Sequence, residues 1–177
     1  MHDACLTSPA MMRPVTVAAL LAVASAEPMV AGGTLKLTWS DCGGVHGKAT
    51  SIQPAALTLG TPTNIIGKGA VDEAVSGGGF EISVKAGIIP LVDHKGDLCK
   101  ADAISLPGGI GSIQWKGLPC PLAAGPIEVD MTVTLSANIP ASLASTTIKL
   151  TGTGSNGDSL LCVQLNTAPE AEEPVVV

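Results

Sequence analysis

The stretch "TLKLTWSDCGGVHG", Thr34–Gly47, decides how the chain folds. Leu35, Leu37 and Trp39 alternate with Thr34, Lys36 and Thr38, the period-2 pattern of a strand with one apolar and one polar face. The strand then runs into an acid, a cysteine and two glycines, which is turn chemistry. A half-buried strand therefore ends at Cys42, and what that cysteine meets ties this segment to the rest of the fold.

The same alternation recurs downstream. In "IEVDMTVTL", Ile127, Val129, Met131, Val133 and Leu135 take one face while Glu128, Asp130, Thr132 and Thr134 take the other. Phe80, Ile82 and Val84 alternate with Glu81, Ser83 and Lys85. Late in the chain "TTIKLTG" and "LLCVQL" flank Ser155-Asn156-Gly157-Asp158, where Asn-Gly predicts a tight hairpin turn with positive φ angles. Gly and Pro clusters such as "LGTPTN", "SGGG" and "LPGGIG" separate these runs, and no stretch longer than a turn shows a 3.6-residue stripe. Short strands with regular turn signals predict an all-β, two-sheet sandwich.

The chain has 177 residues, 46% of them hydrophobic, yet one Phe, two Trp and no Tyr, so its core is built from Ala, Val, Leu and Ile. That composition is globular, and the length fits one domain. Arg13 stands before "VTVAALLAVASA", Val15–Ala26, which closes on small residues, so residues 1–26 are expected to be a secretion signal. The run is shorter than the roughly 20 apolar residues of a membrane span. Residues 27–168 are then a single domain, and "PEAEEPVVV", 169–177, an acidic frayed tail. Removing the signal takes one acid, Asp3, and one base, Arg13, and leaves the net charge of −6, which gives no electrostatic reason to bind nucleic acid.

Outside the signal stand four cysteines, Cys42, Cys99, Cys120 and Cys162, an even number that suggests disulfides in a secreted chain. Four cysteines allow three pairings, and spacing does not choose among them. None forms a Cys-x-x-Cys pair or stands at a zinc-like spacing from a His, so no metal site is expected. His46 and His94 are expected on loops, mostly solvated, with acid-pH sensing as the less favoured role. Asp72-Glu73, read as strand neighbours on opposite faces, make a poor acid–base pair. Gly77-Gly78-Gly79 lacks the Lys and Ser/Thr of a phosphate loop and reads as a turn. No Gly-x-Ser-x-Gly and no Asn-x-Ser/Thr occurs. The chain is expected not to be an enzyme and to need no cofactor.

Trp39-Ser40-Asp41-Cys42-Gly43 at a strand end, "GLPCP" at Gly117–Pro121 and "SLLCVQL" around Cys162 together resemble the ML lipid-recognition family, over roughly Thr34 to Asn166. The resemblance implies an immunoglobulin-like β-sandwich with an apolar ligand cavity between its sheets. It implies the pairs Cys42–Cys162 and Cys99–Cys120, which in the chain-entropy model stabilise by about 4 to 5 and about 3 kcal/mol. "GIIPLV", Gly87–Val92, then lines the pocket mouth through Ile88, Leu91 and Val92, and "LSANIPAS" brings Leu135, Ile139 and Pro140 to the ligand. The strand phasing adds Val129, Met131 and Val133, residues that would otherwise read as ordinary core. The sterol carriers of the family have a further small disulfide and pocket aromatics that this chain lacks.

The function so implied is a secreted or endolysosomal lipid-binding and transfer protein, monomeric, with a sterol or similar lipid as ligand. Transient membrane contact and a membrane lipid transporter are its implied partners. One alternative is an activator that presents glycolipid or phospholipid to an enzyme; another is a packed sandwich for adhesion or protein recognition. Lys95, Lys100 and Lys116, in or beside the Cys99–Cys120 loop, are candidates to face anionic headgroups. A lipid cavity of roughly 300 Å³ held empty would cost on the order of 7 kcal/mol, comparable to a whole domain's stability. The unliganded sandwich is therefore expected to close much of its gap.

Overall fold

The computed structural model describes residues 28–170, so the 1–26 signal and most of the tail lie outside the described residues. The first half of the chain forms β1 (Met29–Ala31), β2 (Thr34–Asp41), β3 (Gly47–Gln53), β4 (Ala56–Thr58), β5 (Thr63–Val71), β6 (Gly78–Ala86) and β7 (Ile89–Asp97). There follow β8 (Asp102–Leu106), β9 (Gly111–Trp115), β10 (Gly125–Leu135), β11 (Asn138–Pro140), the one-turn helix α1 (Ala141–Ala144), β12 (Thr147–Gly154) and β13 (Ser159–Pro169).

Two antiparallel sheets result. One has the order β4-β2-β13-β12-β6-β7, the other β3-β5-β10-β9-β8, and β1 pairs with β11 as a small ribbon at one end. The alternating residues are the reason the sheets stack. Leu35, Leu37, Phe80, Ile82 and Val84 from one sheet and Ile65, Ile113, Trp115 and Val133 from the other are all buried in one core. Their polar neighbours Lys36, Thr38 and Lys85 face solvent. The wide Val- and Leu-built core leaves Trp115 as its largest anchor, stacked 5.0 Å from Phe80 and donating its indole N–H to Leu98 O at 3.2 Å.

Four residues of the opening stretch, Asp41 to Gly44, make its turn and tie it down. Asp41 Oδ1 accepts the Gly43 N–H at 2.8 Å and Oδ2 the Ala49 N–H at 3.0 Å, so the acid closes the turn from β2 into β3. Gly43 has φ of +90°, and a side chain at Gly44 would run into the Leu160 carbonyl. Cys42 donates its N–H to Cys162 O at 3.0 Å and is disulfide-bonded to that residue, while Cys99 bonds Cys120. The first of these pairs spans 120 residues of sequence and the second 21.

Three local readings change. Only Gly157 of the Asn-Gly pair takes positive φ, +89°. Asn156 instead uses its side-chain oxygen to accept the Asp158 N–H at 3.1 Å, which makes a wider loop than a two-residue turn. Gly78 and Gly79 are the first residues of β6 and pair with Gly154 and Thr153, not a turn. β13 runs through Pro169, opposite Leu35, and the Glu170 N–H donates to Thr34 O at 3.1 Å, so strand pairing continues past the residue where the tail was expected to begin.

Candidate functional site

Between the sheets lies an apolar gap in three linked parts. The largest, about 60 Å³ open to the centres of water-sized spheres, sits at the end closed by β11 and α1. A second and a third, each about 30 Å³, continue it toward Trp115. The first two share Ile65, Met131, Leu150 and Leu165 as walls, and the second and third share Ile127, Val129, Leu150 and Leu161. Even the largest would house a few waters at most, far less than a lipid. The sandwich has closed most of its gap, as the cost of an empty cavity requires.

Of the residues expected at a ligand, Leu91, Met131, Val133, Leu135 and Ile139 line the largest part. Val129 walls the two smaller parts. Val92 is half-buried against the core without lining any part, and Pro140 is half-buried between Ile139 and α1. Ile88 departs most: it is 96% exposed at the tip of the β6–β7 hairpin, beside Ile89 at 61%. The reason is register, because Ala86 pairs with Ile89 and Gly87-Ile88 are therefore the two residues of the hairpin turn, with Gly87 at φ of +57°. Sequence reasoning left Leu35, Leu37, Ile82, Val84 and Leu165 as core, although they wall the same gap. Their alternation was the available signal, and alternation does not distinguish a packed interior from a pocket wall.

The two sheets are fastened together at the Trp115 end. There Cys99 after β7 is bonded to Cys120 after β9, Trp115 of β9 hydrogen-bonds Leu98, and His94 Nε2 of β7 meets Asp102 Oδ2 of β8 at 2.7 Å. The His94 hydrogen bond, then the Ala103 N–H, holds the Asp102 carboxyl below its ordinary value. At the opposite end of the same edge, Leu91 of β7 and Leu106 of β8 both border the largest gap and have only apolar side chains to offer each other.

The lysines expected to face headgroups do not form a free basic patch. Lys95 pairs with Glu81 at 3.1 Å, Lys100 with Asp97 at 2.7 Å and Lys116 with Asp130 at 2.6 Å. Lys100 and Lys116 also sit toward the fastened end, since β9 begins at Gly111 near the largest gap and ends at Trp115.

His94 is not a loop residue, and His46 is on a loop but engaged with acids. His94 is within β7, and His46, at the turn before β3, has Nδ1 3.0 Å from Asp72 and 3.7 Å from Glu73, with Nε2 4.0 Å from Asp158. Asp72 and Glu73 lie past the end of β5, which is why both can turn to one ring. The Asp72 hydrogen bond, against a smaller desolvation, and the charges of Glu73, Asp72 and Asp158 raise the His46 pKa above 6.5. A raised histidine stabilises the fold fully below the unfolded value and loses that contribution as pH rises through the folded value. His46→Gln is therefore expected to lower the melting temperature at about pH 5.5 and to match wild type at about pH 8.5. A melting difference independent of pH would contradict this. Among the described residues no group of three His, Cys, Asp or Glu could hold a metal, and no helix is long and apolar enough to cross a membrane.

A family model described as ML domain matches residues 36–168. A phosphatidylglycerol/phosphatidylinositol transfer protein of Mycosarcoma maydis is 31% identical over 133 residues, 72% of this chain and 63% of that protein, so the chain spans under two thirds of that relative's length. A putative phosphatidylglycerol/phosphatidylinositol transfer protein of Dictyostelium discoideum is 25% identical over 135 residues, 72% of this chain and 83% of the relative. Among solved structures, a Niemann-Pick type C2 protein from the Japanese carpenter ant superposes with a TM-score of 0.53 at 18% identity, covering 75% of this chain and 98% of that one. Chicken MD-1 complexed with lipid IVa superposes with a TM-score of 0.53 at 13% identity, covering 82% of this chain and 100% of that one.

Proposed function

Because the chain belongs to the ML domain family, we propose that it takes up a lipid between its two sheets and carries it between membranes, with an anionic phospholipid of the phosphatidylglycerol or phosphatidylinositol kind as first ligand. The observation that carries this reading is the linked apolar gap, fastened at the Trp115 end and bordered at the β7/β8 edge of the other end by the apolar Leu91 and Leu106. Apolar contacts are non-directional, so exchanging Leu–Leu contact for Leu–acyl contact breaks no hydrogen bond, while each buried CH₂ contributes about 0.8 kcal/mol. Either ligand requires the gap to widen, and a flexible acyl chain can follow a widening along its three parts where a rigid sterol needs one continuous slab. The names of the two curated relatives favour the same ligand class over the sterol expected from the sequence.

Delivery requires the mouth to touch a membrane. Ile88 and Ile89, exposed at the hairpin tip next to Leu91, are the residues placed to insert there. The two disulfides fit a secreted or endolysosomal chain in an oxidising compartment. Transfer of fluorescent phosphatidylglycerol between donor and acceptor vesicles tests both steps. The Ile88→Glu/Ile89→Glu protein is expected to transfer several times more slowly than wild type, with an unchanged melting temperature, since each change removes roughly 1.5 kcal/mol or more of apolar transfer. Equal transfer rates would remove the hairpin from membrane contact, and no transfer by wild type would contradict the carrier reading.

A further inference from the structure

Of the residues that wall the largest gap, only Thr146 and Thr167 have polar side chains, and their hydrogen bonds can be counted. Thr167 is 6% exposed. Its Oγ1 lies 2.9 Å from Ala144 O, 3.0 Å from the Thr146 N–H and 2.8 Å from Thr146 Oγ1. Ala144 is fully buried at the end of α1, and its carbonyl needs a donor. The single Thr167 hydroxyl proton therefore goes to Ala144 O, and the two lone pairs of Thr167 accept the Thr146 N–H and the Thr146 O–H. Thr146 Oγ1 has then spent its proton. What it has left beside an otherwise apolar gap is lone pairs alone.

We propose that Thr146 Oγ1 is an acceptor subsite for a hydroxyl on the lipid headgroup, and that it selects polyol-headed anionic phospholipids over those whose headgroups lack a donor. This deepens the lipid-carrier reading and rests on it. The place suits a headgroup, because Thr146 borders the largest gap, keeps part of its surface exposed, and stands between α1 and β12 at the end away from Trp115. The charge suits an anion too. Lys85, exposed and directly across from Thr147 in the β6–β12 ladder, is like Lys36, Lys48 and Lys149 in no ion pair among the described residues. A hydroxyl donated to Thr146 also costs the protein nothing in reorganisation, since the three-membered network already fixes the oxygen.

The test compares binding of phosphatidylglycerol and phosphatidylmethanol with identical acyl chains, two lipids of equal charge that differ in the glycerol hydroxyls. Wild type is expected to prefer phosphatidylglycerol by about three- to tenfold, the range of one net hydrogen bond. Thr146→Ser keeps the acceptor and is expected to keep the preference; Thr146→Val is expected to bring the ratio to about one. A wild type that binds both lipids equally overturns the Thr146 subsite and leaves the carrier reading in place. So does a Thr146→Val protein that still prefers phosphatidylglycerol. A wild type that binds neither lipid overturns the carrier reading, and the subsite falls with it.

Discussion

Val133→Trp is expected to fold and to lose lipid uptake by about a hundredfold. Val133 is 8% exposed near the end of β10, between Thr63 of β5 and Ile113 of β9, and its side chain borders the largest gap. An indole there occupies the space of about four methylenes, and at about 0.8 kcal/mol each this withdraws roughly 3 kcal/mol of transfer energy from an acyl chain. The gap already present accepts part of the ring, so the overpacking penalty stays near 1 to 3 kcal/mol, within the stability of a typical domain. Circular dichroism and melting establish the fold, and titration with fluorescent phosphatidylglycerol reads the binding. Wild-type affinity in a folded variant would place the lipid somewhere other than between the sheets.

Removing the long disulfide has the largest expected effect on stability. The Cys42→Ser/Cys162→Ser protein frees a loop of 120 residues, which the chain-entropy model values at about 4 to 5 kcal/mol, or a fall in melting temperature of about 10 to 20 °C. Cys99→Ser/Cys120→Ser opens a loop of 21 residues and is expected to cost about 3 kcal/mol, but it also unfastens one tie between the sheets at the Trp115 end. The two variants should therefore separate: the first loses more stability, and the second changes lipid exchange more per unit of stability lost. A smaller melting shift for the 42–162 variant than for the 99–120 variant would contradict the ranking.

Much of the fold was legible because burial in a sandwich leaves a period of two. Leu35/Leu37, Phe80/Ile82/Val84 and Ile127 to Leu135 were each read in the phase they adopt, and the disulfide ladder followed from the family resemblance carried by Trp39 to Gly43, "GLPCP" and "SLLCVQL". The site was only half legible. Met131, Val133 and Leu135 wall the gap as their phase requires, but Leu165 and Ile82 wall it equally and carry no mark that separates lining from packing. The resemblance of "GIIPLV" implies Ile88 at the pocket mouth, but Ala86 pairs with Ile89, which makes Gly87 and Ile88 the turn of the hairpin and leaves Ile88 in solvent. His46 with Asp72, Glu73 and Asp158 draws on three loops far apart in sequence, and Thr146, between α1 and β12, meets Thr167 of β13, so neither grouping leaves a local motif.

Native mass spectrometry after incubation with phosphatidylglycerol vesicles, followed by removal of the vesicles, tests the carrier reading most directly. A 1:1 protein–lipid mass in wild type that is absent from folded Val133→Trp is the predicted result. A bare protein mass in wild type, or an equal lipid adduct on both proteins, would contradict a lipid held between the two sheets.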